Sequence, residues 1–187
     1  MRFNELYQRN TIPTFWEEDN TMLHCNCGSY ALNLTTWFVP YLSDREIERM
    51  EDEDAYLYDE YEREYYMTEL IKNGHDRFDV MSIITEIDWE FILKACPWLV
   101  PITKEEINDT DRIIAYRLML EDVDPEDFDV DLHTDFHFRV RINGEWWEKN
   151  GGGPIHSCGT ETDDFPWEND PWVYDGVIKY AKFKEGV

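Results

Sequence analysis

The sequence predicts an α+β fold, with helices first and an antiparallel sheet after them. Three observations carry this expectation. Apolar residues recur at helical spacing up to about residue 110. From about 111 onward, short apolar and alternating runs replace them, and Asn143-Gly144 divides two of these as a hairpin turn. No internal repeat and no Ser/Gly-rich linker divides the 187 residues. A single domain over 1–187 is therefore expected, long enough to bury a core.

Taken in order, the elements are as follows. After an irregular start containing Pro13, "CGSYALNLTTWF" predicts a helix from about Cys27 to Phe38. Tyr30, Leu34 and Trp37 share one face, and Pro40 ends it. A second helix begins at Ser43, whose N-cap role is completed by Glu46 as a capping box, and stops at Gly74. Tyr58, Tyr61 and Tyr65 form a stripe along it, a pattern expected of core or interface. In the third helix, "FDVMSIITEIDWEFILKACPWL", Ile83, Ile87, Phe91 and Ala95 are expected to face inward, with Pro97 as terminator. "RIIAYRLML" reads as a buried strand. "DFHFRVRI" and "EWWEKN" flank the Asn-Gly turn, "GGGP" (151–154) reads as a loop, and "GVIKYAKF" as the last strand.

Charge narrows the partners. The chain carries 42 acids against 17 bases, a net charge of −25, which repels nucleic acid and anionic membranes and attracts basic partners. Eleven acids lie between Asp44 and Glu64 and eight between Glu121 and Asp135. They serve either as a solvated coat or as a mimic of the phosphate backbone that occupies a nucleic-acid-binding protein. The calcium-loop spacing D-x-[DN]-x-[DN]-G is absent. No apolar signal region and no run of ~18 apolar residues is visible, so a cytoplasmic location is expected. Cys25, Cys27, Cys96 and Cys158 are too few and irregular for a disulfide scaffold.

One of these thiols stands where chemistry is possible. Cys27 falls at the start of the first helix, where N–H groups and the helix dipole favour a thiolate. Gly28 and Ser29 after it are small enough to admit a substrate carbonyl. Its own backbone N–H is a candidate oxyanion donor. The hairpin supplies a partner. A two-residue turn pairs Ile142 with Glu145, hence Arg139 with Glu148 and His137 with Asn150. Phe138, Val140, Ile142 and Trp147 then form the core face, and His137, Arg139, Arg141, Glu148 and Asn150 the other. An imidazole oriented by the Asn150 amide and facing a helix-start cysteine is a Cys-His-Asn arrangement. Asp135, on the same face, is the alternative orienting group. Zinc at Cys25, Cys27, His133 and His137 is disfavoured, because two strand residues four apart are separated by ~13 Å. Neither metal nor cofactor is expected. His156 is weighed as a second active-site imidazole or an exposed loop residue, and Trp146, Trp147, Trp167 and Trp172 as groove or core.

"NCGSYALN" (26–33), "IAYR" (114–117), "DFHF" (135–138) and "NGEWWEKNGG" (143–152) together resemble a papain-like family of largely uncharacterised phage and bacterial proteins. Its pattern runs N-C-x-x-Y-A-L-N, I-A-Y-R, D-[FY]-H-F and G-x-W-x-x-K-x-G, in that order. The resemblance implies a papain-like fold, Cys27 as nucleophile, His137 as general base and acid, and Lys149 as a recurrent position of unassigned role. The chain departs from the family at Asn150, where proline is common. The function expected is a cysteine peptidase or amidase acting on a basic protein or peptide, in the host cytoplasm if phage-encoded. The rival expectation is an acidic inhibitor that binds a host nucleic-acid-binding protein without catalysis.

Overall fold

The computed structural model describes residues 26–32, 34, 38–40, 53–121, 134–151, 155–162, 166–169 and 172–184, with only the backbone for 53–62, 169 and 172. Among the described residues, three helices, α1 (Cys27–Leu32), α2 (Glu53–Lys72) and α3 (Arg77–Ala95), precede most of the sheet. A 3₁₀ turn spans Lys104–Glu106. The strands are β1 (Leu99–Ile102), β2 (Ile113–Leu120), β3 (Thr134–Ile142), β4 (Glu145–Lys149), β5 (Ile155–Gly159), β6 (Glu168–Asn169), β7 (Trp172–Val173) and β8 (Lys179–Phe183). Six of them form one antiparallel sheet in the order β1-β8-β2-β3-β4-β5, while β6 and β7 pair separately. The fold is mixed α+β. The sheet begins earlier than 111, because β1 joins its edge by pairing with β8.

Alternation sorts the sheet's side chains into two cores. One face carries Ile114, Tyr116, Phe138 and Val140, which pack on α1 and α3 through Tyr30, Leu32, Trp89 and Ile92. The opposite face carries Ile113, Ala115, Met119 and Trp146, covered by Trp167 and Tyr174. A third cluster joins Met67 of α2 to Val80, Met81 and Ile84 of α3 and Leu118 and Leu120 of β2.

The hairpin follows its turn chemistry. Asn143 (φ 53°) and Gly144 (φ 82°) both take the positive φ of a type I′ turn, and the ladder pairs Ile142 with Glu145 and Arg139 with Glu148. The end of α2 is also as expected. Gly74 has φ 91°, and Gly74 N–H donates to Ile71 O while His75 N–H donates to Leu70 O, the paired bonds of a Schellman cap. Ser43 lies outside the described residues.

Two helices differ from expectation. α1 ends at Leu32 rather than Phe38. Asn26 explains why: its Oδ1 accepts from Ser29 N–H at 3.0 Å, capping the helix, and from Phe38 N–H at 3.2 Å. Its Nδ2 donates to Phe38 O at 2.6 Å. A continuous helix would separate Asn26 from Phe38 by roughly 18 Å, so these bonds and a helix to Phe38 exclude one another. In α3 the buried face is Val80, Met81, Ile84, Thr85, Asp88, Trp89 and Ile92, one position away from the expected Ile83/Ile87 face. Ile87 is exposed. The helix turns that way because Asp88 points inward, where Arg63 of α2 grips its carboxylate with both Nη atoms at 2.6 and 2.8 Å and Tyr116 OH donates to it.

Candidate active site

The sulfur of Cys27 is placed by α1. The Asn26 cap fixes the helix start, and the helix lies so close to the sheet that a Cβ on Gly28 would meet Phe38 at 2.8 Å and Phe138 at 3.3 Å. The small residues after the cysteine therefore serve close packing rather than substrate entry. Ser29, fully buried, spends its hydroxyl on Asn26 Oδ1 at 2.9 Å.

From this start the Cys27 thiol donates to the carbonyl oxygen of Phe136 at 3.7 Å. That oxygen lies in the plane of the sheet. In a two-residue hairpin the residues flanking the turn exchange both backbone bonds, so Ile142 and, by alternation, Val140, Phe138 and Phe136 aim their carbonyls toward β4. β4 ends at Lys149, which leaves the Phe136 carbonyl past its last residue. The thiol thus sits at the open end of the β3–β4 ladder, against the peptide that joins Phe136 to His137.

His137 turns its ring to the Trp167/Tyr174 face. Tyr174 lies 5.1 Å from it at a 32° tilt and Trp167 meets it edge-on at 6.0 Å. Its Nε2 lies 3.1 Å from Glu148 Oε2, and the same oxygen accepts from Arg139 Nε at 2.6 Å. All three side chains are buried. Burial opposes charge on Glu148, but the His137 hydrogen bond, the His137 charge and the Arg139 guanidinium outweigh it and hold the pKa down to about 2. An ionised carboxylate only accepts hydrogen bonds. The imidazole therefore carries a proton on Nε2, aimed at the carboxylate.

The side chain bonded to the His137 ring is Glu148, where Asn150 or Asp135 was expected. Asn150 is unpaired with His137, because the β3–β4 ladder stops at Arg139–Glu148, and its Oδ1 is buried without a hydrogen bond. Asp135 acts one step away: its Oδ2 accepts from Tyr174 OH at 2.6 Å and its Oδ1 from Phe136 N–H at 2.8 Å, so it fixes the tyrosine that stacks on the imidazole.

The remaining candidates fall out as follows. Lys149 is fully buried and its ammonium donates to Gly151 O, closing the turn after β4. Trp146 and Trp167 are buried, and Trp167 carries the Arg139 guanidinium 4.1 Å over its ring. Tyr65 is exposed. Cys96 is buried at the end of α3 and forms no disulfide among the described residues. Cys25, His133 and most of both acidic segments lie outside the described residues.

His156, weighed above as a second imidazole or an exposed loop residue, lies on a strand together with Cys158. β5, "IHSCG", pairs with β4 so that His156 faces Glu148. His156 Nε2 lies 2.8 Å from Glu148 Oε1, and Cys158 is buried beside the same carboxylate. Burial, followed by the Glu148 charge, pushes the Cys158 thiol up to about 12. The available signal was the His-x-Cys alternation, which puts both on one face of a strand.

Among the described residues no helix is long and apolar enough to cross a membrane. Comparison with family models, with curated proteins and with solved structures returns no match.

Proposed function

We propose that this protein is a papain-like cysteine hydrolase, a peptidase or amidase, with Cys27 as nucleophile, His137 as general base and acid, and Glu148 as the residue that orients the imidazole. The observation that carries this reading is the bond between His137 Nε2 and Glu148 Oε2 at 3.1 Å, made on the residue next to the carbonyl that the Cys27 thiol touches. It supports an oriented imidazole. The sulfur meets the Phe136–His137 peptide from the α1 side and the ring lies on the Trp167/Tyr174 side, so the reading requires Nδ1 to reach the sulfur around the open end of the β3–β4 ladder.

In this mechanism Nδ1 takes the Cys27 proton and the thiolate attacks an amide or ester carbonyl. The carbonyl π electrons move to oxygen, which the Cys27 backbone N–H stabilises at the start of α1. Collapse expels the amine or alcohol, which receives the proton from Nδ1. Water, deprotonated by the same nitrogen, then releases the acid from the thioester. Glu148 stays ionised throughout and supports the imidazolium. The net charge of −25 favours Lys- and Arg-rich substrates.

The test is cleavage of Lys/Arg-rich peptides with mass analysis of the enzyme. An acyl adduct on Cys27 and loss of cleavage in folded Cys27→Ala are expected. Cleavage that survives Cys27→Ala would overturn the assignment.

A further inference from the structure

We propose that Glu148, His156 and Cys158 form a binding site for a divalent transition-metal cation of the zinc type. Their ligand atoms, a carboxylate oxygen, an imidazole nitrogen and a thiol sulfur, all lie within 4.8 Å of one another. Zinc takes O, N and S donors at ~2.0–2.3 Å, which sets tetrahedral ligand–ligand edges of roughly 3.3–3.6 Å. The three atoms therefore need only small rotamer adjustments to close on one ion.

A second observation points the same way. Glu148 is 1% exposed, yet its Oε1 makes no hydrogen bond. His156 Nε2, at 2.8 Å, stands outside hydrogen-bonding geometry toward it. Oε1 is thus met by an imidazole at ion-pair distance but by no well-formed hydrogen bond, and a cation between these groups would take it as a direct ligand. The other oxygen, Oε2, is held by His137 Nε2 and Arg139 Nε. Such outer contacts orient a ligating carboxylate and fix which oxygen it offers.

The strands make this site rigid. His156 pairs directly with Glu148 across β4–β5, and Cys158, two residues on, returns to the same face. Three protein ligands leave a fourth position for water, the pattern of a zinc site with an open face. The His156 side chain is 34% exposed, so that face opens on its side. On coordination, zinc–water bonds are replaced by bonds to Oε1, Nε2 and Sγ, and the Cys158 proton passes to solvent. The protein's net charge of −25 concentrates cations around it. The site shares Glu148 with the hydrolase reading, through its other oxygen, but not Cys27, so the Cys27→Ala variant distinguishes failure of one from failure of the other.

The experiment is titration of chelator-treated protein with Zn²⁺ alone, and with Co²⁺ as the spectroscopic probe. One ion per chain is expected, with a thiolate-to-cobalt charge-transfer band and tetrahedral d–d absorption. Cys158→Ser should abolish the band, His156→Ala should weaken binding by at least ~100-fold, and Cys27→Ala should leave the band in place. His156→Ala removes a half-exposed side chain and keeps the test decisive if the Cys158 variant does not fold. No metal uptake, a band that survives Cys158→Ser, or affinity unchanged in His156→Ala would overturn the site.

Discussion

Glu148→Gln keeps the shape of the side chain and removes its charge. In the wild type, Glu148 is 1% exposed beside Arg139, which is 0% exposed. Holding its pKa at about 2 rather than 4.5 corresponds to about 3 kcal/mol of stability at 1.36 kcal/mol per unit. An independent argument agrees: removing one partner of a buried ion pair costs ~3–5 kcal/mol, because the remaining charge is left uncompensated. The direction with pH follows from the sign of the shift. A carboxylate with a depressed folded pKa contributes stability that is fully present above the unfolded value near 4.5 and is lost as pH falls toward 2. Urea denaturation of both proteins from pH 7 down to the lowest pH at which the wild type stays folded reads this directly. The variant should be about 3 kcal/mol less stable at pH 7, with the gap narrowing below about pH 4.5. A gap under ~0.5 kcal/mol at pH 7, or one that does not change with pH, would refute the reasoning.

Other perturbations separate the roles of neighbouring groups. Asp135→Asn should cost ~1 kcal/mol in thermal or urea melts through its bond to Tyr174, yet leave Cys27 alkylation unchanged, whereas Glu148→Gln should slow that alkylation. Arg63→Met should lower stability by ~3–5 kcal/mol in urea melts, since it strands the fully buried Asp88 carboxylate between α2, α3 and β2. Gly176→Ala should cost ~1–3 kcal/mol in the same assay. Its Cβ would stand 2.8 Å from the Leu118 carbonyl oxygen, which cannot withdraw without losing the bond it accepts from Gly176 N–H at 3.0 Å. Gly74→Ala meets open space and should cost only ~1 kcal/mol, through its φ of 91°.

What the sequence made legible was local. Asn143-Gly144 carries its own turn geometry, and counting outward from it placed Glu148 opposite Arg139, as the ladder has it. The Schellman cap at Gly74 was legible for the same reason. Three-dimensional competition hid the rest. Asn26 caps α1 and also reaches Phe38 with its amide, a contact no helical periodicity encodes. The face of α3 is not set by its apolar residues alone, since Asp88 is drawn inward by Arg63 and Tyr116. At the candidate site, direct cross-strand pairing favoured Asn150, but a glutamate reaches the diagonal neighbour and brings a charge that an amide lacks. β5 follows a run of glycines that reads as loop, so the pairing that sets His156 and Cys158 against Glu148 is visible only in the sheet.

The measurement closest to the central claim is the rate at which iodoacetamide modifies each cysteine at neutral pH, read by peptide mass analysis in the wild type and in His137→Ala. Cys27 should react ahead of Cys96 and Cys158, the last held back by a thiol pKa of about 12, and the His137 change should erase that lead. A Cys27 rate untouched by the loss of the imidazole would contradict the account.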